Sequence, residues 1–216
     1  MNYKGKNLPL FATRTGSHMW GMETPHSDID IYDCYIRDTL SYFIHGRTKG
    51  SHNHNYKPRD HVGLESHLLR HNVQSYLDKG IEVDIQSHEL QRVVHYLQKG
   101  NLNFIFMVCS PIVEYEHSSA LAELRQIFID NLSKNCYHST KGMARNNIKK
   151  YLLQRELDQK TYQKKLNTIG RNLQFGINLL LYEKPVFEPV SIQSKKELDN
   201  LVMRLIDIML AFPSIL

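Results

Sequence analysis

The sequence predicts an α+β protein, with a small mixed sheet over residues 1–112 and a helical bundle over 113–216. Three observations support this. β-forming residues alternate with polar ones only in the first half, as in Asp28-Ile29-Asp30-Ile31-Tyr32. From Ser118 onward, apolar residues recur instead at helical spacing. No Pro/Ser-rich linker lies near Pro111, so the two halves are expected to pack together.

Taken in order, Leu8 to Thr13 reads as a short strand with Pro9 at its start or edge. Gly16 to Pro25 is a loop with room for one helical turn, and Asp28 to Ile36 is the clearest strand. Thr39 to Ile44 suits a strand or a short helix. His45 to Asp60, rich in Gly, Asn, His and Lys and without a period, reads as a surface loop. His71 to Leu77 and Ile81 to Gln86 look like hairpin arms around Asp78-Lys79-Gly80. Ser87 is placed to cap a helix that runs to Lys99 and stops at Gly100. Asn101 to Cys109 forms a second, buried helix. The later helices are marked by Ala144/Ile148/Tyr151/Leu152, by Ile169/Leu173/Ile177/Leu180, and by Leu198/Leu201/Val202/Leu205/Met209/Phe212.

Composition narrows the class. The chain has 216 residues, 41% hydrophobic and 23% charged, ordinary for a globular protein. No apolar run approaches the roughly 18 residues of a membrane span, and no apolar segment follows the first charged residues as in a signal peptide. Cys34, Cys109 and Cys136 are scattered and odd in number, which points to reduced thiols in a cytoplasm. The net charge of +5 is unevenly spread: Lys134 to Asn172 holds ten Lys/Arg against two Asp/Glu, leaving about −3 for the rest. A polyanionic partner or a solvated basic helix face would each produce that segregation.

The residues that suggest chemistry lie early. In a strand, Asp28 and Asp30 project to one face while Ile29 and Ile31 enter the core. Two such carboxylates repel unless a cation lies between them, and hard divalent ions such as Mg²⁺ take oxygen ligands of this kind. Gly16-Ser17 just upstream reads as a turn able to cradle phosphate. Taken alone, an Asp-x-Asp is more often a plain surface strand.

Gly16-Ser17 followed by Pro25-His26-Ser27-Asp28-Ile29-Asp30 resembles the signature of the DNA polymerase β-like nucleotidyltransferases. The wider string, with Gly21 as a second glycine, is similar to the branch associated with RNA repair. Val83-Asp84-Ile85 matches the form of that superfamily's third carboxylate, and Glu82, two residues away on the same face, is a weaker candidate. Lys99-Gly100-Asn101-Leu102-Asn103 also resembles the branch, with Leu102 where proline is common. The branch often has a glutamate shortly afterwards, where this chain has Phe106 or Met107.

The resemblance implies an enzyme that moves a nucleoside monophosphate from an NTP, ATP among them, to an acceptor hydroxyl. Asp28, Asp30 and Asp84 would be catalytic and hold two Mg²⁺ or Mn²⁺ ions; such pairs lie about 3.5–4 Å apart. Gly16, Ser17 and Ser27 would contact the nucleotide, as would Lys165 and Arg171, which match a Lys…Arg helix of the branch. Lys141, Arg145 and Lys149, at i, i+4 and i+8, form a stripe suited to acceptor phosphates or simply to solvent. The basic half favours RNA, a tRNA or an RNA end, as acceptor. A protein hydroxyl, as in toxin-type members, is the alternative, and a non-catalytic binding module of a toxin–antitoxin pair is another. The histidines of the 45–71 segment, His67 and His71 among them, read as a polar loop rather than a zinc site. Oligomeric state is not legible in the sequence.

Overall fold

The computed structural model describes residues 7–37, 51–56, 73–152 and 157–211. Five strands form one sheet in the order β3-β4-β2-β1-β5. They are β1 (Leu8–Arg14), β2 (Ile29–Ile36), β3 (Ser51–Tyr56), β4 (Val83–Glu89) and β5 (Val113–Glu116). β2 pairs with β4 in parallel, and the other pairings are antiparallel. The helices are α1 (Gly16–Met19), α2 (Val73–Asp78), α3 (Leu90–Gln98), α4 (Leu102–Cys109), α5 (Ala120–Asp130), α6 (Lys134–Asn147), α7 (Gln159–Tyr182) and α8 (Lys195–Ala211). A π-helical turn, Ile148–Leu152, continues α6. An α+β architecture is therefore present, with the strands among the described residues confined to the first 116 positions.

The chain divides into two compact units, Met1–Tyr96 with Phe106–Gln126, and Leu97–Ile105 with Ile127–Leu216. In the first, Ile29, Ile31, Val83 and Ile85 from the two parallel strands pack with Ala12 and with Val73 and Leu77 of α2. In the second, Ala144 of α6, Leu166, Ile169, Leu173 and Ile177 of α7, and Leu198, Leu205 and Ile208 of α8 share one core. Four-residue apolar spacing explains why these helices have one buried stripe each.

Several local expectations change. Val73–Asp78 is helical, not a hairpin arm: Val73 and Leu77, at i and i+4, are both buried. Short apolar runs fit either period, and here the helical one wins. β4 runs through Ser87 to Glu89, so α3 begins at Leu90 and Ser87 is not its cap. Instead the Ser87 hydroxyl donates to Asp33 Oδ2 at 3.1 Å. Ser51–Tyr56, expected in a loop, is the edge strand β3. Val113–Glu116 adds a second edge strand that the sequence did not suggest. The Thr39–Ile44 element and the His67/His71 pair lie outside the described residues.

Gly176 on α7 makes a close approach to α6, where a Cβ would overlap Thr140. Thr140 cannot easily yield, because its hydroxyl donates to Cys136 O at 2.8 Å and its side chain is buried. Gly176→Ala is therefore expected to destabilise by about 1–2 kcal/mol, overpacking outweighing the better helix propensity. Thermal unfolding should show Tm lower by about 2–6 °C. Gly142→Ala, on the same α6 but facing open space, should raise it slightly.

Candidate active site

β1 leads into the Gly16-Ser17 turn, and several contacts fix its exit. Thr13 Oγ1 donates to Met107 O at 2.7 Å, and Arg14 N–H donates to Ile112 O at 2.9 Å. Arg14 Nε donates to Glu114 Oε1 at 2.6 Å, and its Nη2 donates to Tyr76 Oη at 2.7 Å. Arg14 stands opposite Ile31 in the β1–β2 register, so it braces the turn from the face opposite the carboxylates. Neither Arg14 nor its partners carried a motif, and only the pairing of β5 with β1 brings Glu114 near. Buried Met19 and Trp20 anchor the turn, Trp20 meeting Phe106 edge-on at 5.6 Å.

Gly16 has φ +63°, and a Cβ there would overlap Asp30 Oδ2. Only glycine combines that left-handed backbone with that close approach at low energy. Thr15 N–H donates to Asp30 O at 2.8 Å, joining the turn to β2. The Ser17 carbonyl accepts from Met22 N–H at 3.0 Å. Its hydroxyl has no partner among the described residues. The Ser27 hydroxyl accepts from Thr24 N–H at 2.9 Å, so it shapes the loop delivering Asp28.

Ile29 N–H donates to Glu82 O at 2.9 Å, starting the parallel ladder. Asp30 and Asp84 are then direct neighbours in register. Asp28 is exposed and the other two carboxylates are half-buried. Ile29, Ile31, Val83 and Ile85 on the opposite face are at most 2% exposed, so the alternation read from the sequence is realised. The structure thus brings Gly16, Asp30 and Asp84 together, with Asp28 close enough to act electrostatically.

Burial, then the charges of Asp28 and Asp84, raise the Asp30 pKa to about 6. Burial, then Asp30 and Asp84, likewise raise that of Tyr32. His18 is lowered by burial first and by Arg14 second, with Glu23, Asp28 and Glu114 opposing. Asp30 keeps its proton in the folded state at pH values where the unfolded chain has lost it. That stabilises the fold below about pH 4 and is lost as pH rises through about 6. In chelated buffer, Asp30→Asn should therefore raise Tm at pH 7.5, by about 2–5 °C. This corresponds to roughly 1–2 kcal/mol after solvent screening of a partly exposed group. Scanning calorimetry at pH 4 should show the difference disappear.

The donor set is all hard oxygen, and burial first, then the charges of Asp28 and Asp84, raise the Asp30 pKa. Both observations fit a divalent cation. Among the described residues, no group of three or more His, Cys, Asp or Glu is gathered closely enough to hold one. Such gathering would oppose the mutual repulsion of the carboxylates.

The remaining expected site residues lie in the second unit. Lys141, Arg145 and Lys149 are exposed, and Lys149 falls on the π-helical turn. Lys165 Nζ lies 4.5 Å from the Tyr151 ring centroid, with Lys150 Nζ 4.9 Å from the same ring. Arg171 is half-buried and its Nη2 donates to Thr168 Oγ1 at 3.2 Å. No helix among the described residues is long and apolar enough to cross a membrane.

Residues 7–171 match the model of RlaP, the RNA repair pathway DNA polymerase beta family. The chain is 24% identical over 155 residues to the uncharacterized protein YcgL of Bacillus subtilis (strain 168), covering 71% of this chain and 50% of that one. It thus spans about half the length of this curated relative. A nucleotidyltransferase-like protein from Exiguobacterium sibiricum 255-15 aligns over 97% of this chain and 70% of its own, at 8% identity and TM-score 0.33. With the Gly16-Ser17 turn beside paired strand carboxylates and a family match over most of its length, the chain belongs to the RNA repair pathway DNA polymerase beta family, within the DNA polymerase β-like nucleotidyltransferases.

Proposed function

We propose that the protein transfers a nucleoside monophosphate from an NTP to a hydroxyl of RNA, a tRNA or an RNA end. The observation that carries this reading is the Asp30–Asp84 pair on adjacent parallel strands, with the Asp30 carboxylate against the Gly16 backbone. Nucleotidyl transfer needs charge neutralisation and in-line positioning more than covalent participation. Asp28 and Asp30, with Asp84, would hold two Mg²⁺ or Mn²⁺ ions. When bound, these ions supply charge neutralisation on the phosphates and lower the pKa of the attacking hydroxyl.

The chain's own residues divide the remaining work. Gly16 lets backbone approach the triphosphate, and the unpartnered Ser17 hydroxyl donates to it. Ser27, by closing the Thr24 turn, sets where Asp28 stands. Asp84, on the far side of Asp30 from Gly16, would accept the proton of the acceptor hydroxyl. Lys165 and Arg171 would contact the nucleotide, and Lys141, Arg145 and Lys149 the acceptor backbone. RNA as acceptor is supported by the concentration of basic residues between Lys134 and Asn172. A cytoplasmic setting is supported by Cys34, Cys109 and Cys136, all buried and none joined in a disulfide.

The test is to incubate the protein with each α-³²P-labelled NTP, Mg²⁺ or Mn²⁺, total RNA and protein lysate. Labelled RNA is the expected result. Labelled protein would replace RNA by a protein acceptor, and no label with any nucleotide or metal would overturn enzymatic transfer.

A further inference from the structure

The face that carries the carboxylates continues one step along the strands. Thr13, Tyr32, Gln86 and Asn53 lie opposite one another on β1, β2, β4 and β3. They form a single row, two residues beyond Asp30 and Asp84, or roughly 7 Å. Residues directly opposite share a face of the sheet, so this row adjoins the carboxylates. Thr13 is buried and bonded to Met107 O, while Tyr32 and Gln86 are half-buried and Asn53 is exposed. In the next row, Cys34 and His88 are buried. His88 also supports Tyr32, ring centroids 5.6 Å apart. Among the described residues, then, the face is open at Tyr32, Gln86 and Asn53 and closed one step later. Of the rows on this face, this one adjoins the carboxylates and is open at three of its positions. None of the three side chains has a hydrogen-bond partner among the described residues.

Direction follows from in-line displacement. The attacking oxygen and the departing pyrophosphate lie on opposite sides of the α-phosphorus. Gly16 and Ser17 lie on the β1 side of Asp30, and Asp84 lies on the β4 side. With the triphosphate tail at Gly16-Ser17, the attacking hydroxyl arrives over β4. Gln86 and Asn53 continue outward from there.

We propose that Gln86 and Asn53, with Tyr32 beside them, form the acceptor subsite and receive the terminal nucleotide of an RNA strand. The proposal rests on the nucleotidyl-transfer reading above. Neutral amides offer both donor and acceptor atoms and no charge, which suits a ribose 2′-hydroxyl and a base edge. Tyr32 offers a phenol and a ring edge to the same nucleotide. In the step itself, the terminal 3′-oxygen bonds to the α-phosphorus as the bond from that phosphorus to the bridging oxygen breaks. The hydroxyl proton passes to Asp84, and pyrophosphate leaves with the electron pair of the broken bond.

The experiment measures transfer from α-³²P-labelled NTP to a 5′-fluorescein single-stranded RNA 12-mer, and anisotropy of the same RNA. Wild type, Gln86→Ala, Asn53→Ala, the double variant and Gln86→Glu are compared, with Tm as the folding control. The double variant is expected to raise the RNA KM and Kd about tenfold, with NTP KM unchanged, as loss of two neutral hydrogen bonds implies. Gln86→Glu should weaken RNA further by repelling phosphate. A 12-mer with a 2′-deoxy terminus should weaken the wild type but not the double variant, because the lost partner is shared. A raised NTP KM with unchanged RNA KM would place the incoming nucleotide on this row and overturn the proposal. So would variants equal to wild type, or equal sensitivity to the 2′-deoxy terminus. A wild type that neither labels nor binds RNA would overturn the parent reading, and the subsite with it.

Discussion

Asp28→Asn combined with Asp30→Asn is expected to lower NMP transfer by at least about 10³-fold. Asparagine matches aspartate in size and still accepts hydrogen bonds, but it brings no charge. The loss is therefore electrostatic: neutralisation of phosphate and acceptor charge contributes several kcal/mol to the transition state, and each 1.4 kcal/mol is a factor of ten. The fold should not suffer. Asp28 is exposed and Asp30 half-buried, and burial, then the charges of Asp28 and Asp84, already raise the Asp30 pKa. The double variant is expected to be at least as stable as wild type in chelated buffer at pH 7.5. Initial rates at saturating nucleotide, with a melting curve on the same samples, check both halves. An inactive variant that has also unfolded would attribute the loss to structure instead.

Gly16→Ala should have the second largest effect, a loss of about 10²-fold in kcat. Two causes act together. At φ +63° an L-residue is strained by about 1–2 kcal/mol. The new methyl would also overlap Asp30 Oδ2, so the carboxylate must move. A displacement of about 1 Å in a reacting constellation costs on the order of 10²-fold. Gly21→Ala separates the causes, since Gly21 has φ +61° but nothing within 4 Å of its virtual Cβ. Gly21→Ala should lower Tm without a comparable loss of kcat. Equal losses from both variants would assign the effect to backbone strain alone.

The two strands that carry Asp30 and Asp84 were more legible in the sequence than the edge strands beside them. Asp28 and Asp30, two apart among isoleucines, give both a strand and its faces, and Asp84 sits among apolar neighbours in the same way. The parallel pairing of β2 with β4 then makes Asp30 and Asp84 adjacent. The edge strands were not legible. β3 reads Ser-His-Asn-His-Asn-Tyr and β5 Val-Glu-Tyr-Glu, whose composition resembles loop or solvent-facing segments. Edge strands are often polar for protection against mispairing, which removes the apolar alternation that would mark them. Val73–Asp78 failed for a different reason: six residues with two apolar ones do not fix a period. Gln86 could have been found as the residue two beyond Asp84. Asn53 could not, because only the β3–β4 register places it beside Gln86. The π-helical turn after Asn147 was hidden similarly, since an ordinary four-residue spacing runs through it.

In the proposed reaction, the Asp28/Asp30/Asp84 face beside Gly16 transfers the α-phosphoryl group with its nucleoside. The most direct measurement supplies parallel reactions with α-³²P- and γ-³²P-labelled NTP, for wild type and for the Asp28→Asn/Asp30→Asn variant, and follows label in RNA and in pyrophosphate. The expected result for wild type is α-label in RNA and γ-label in pyrophosphate, with neither in the variant. Transfer of the γ-label to RNA, or α-label incorporation that survives loss of both carboxylates, would contradict it.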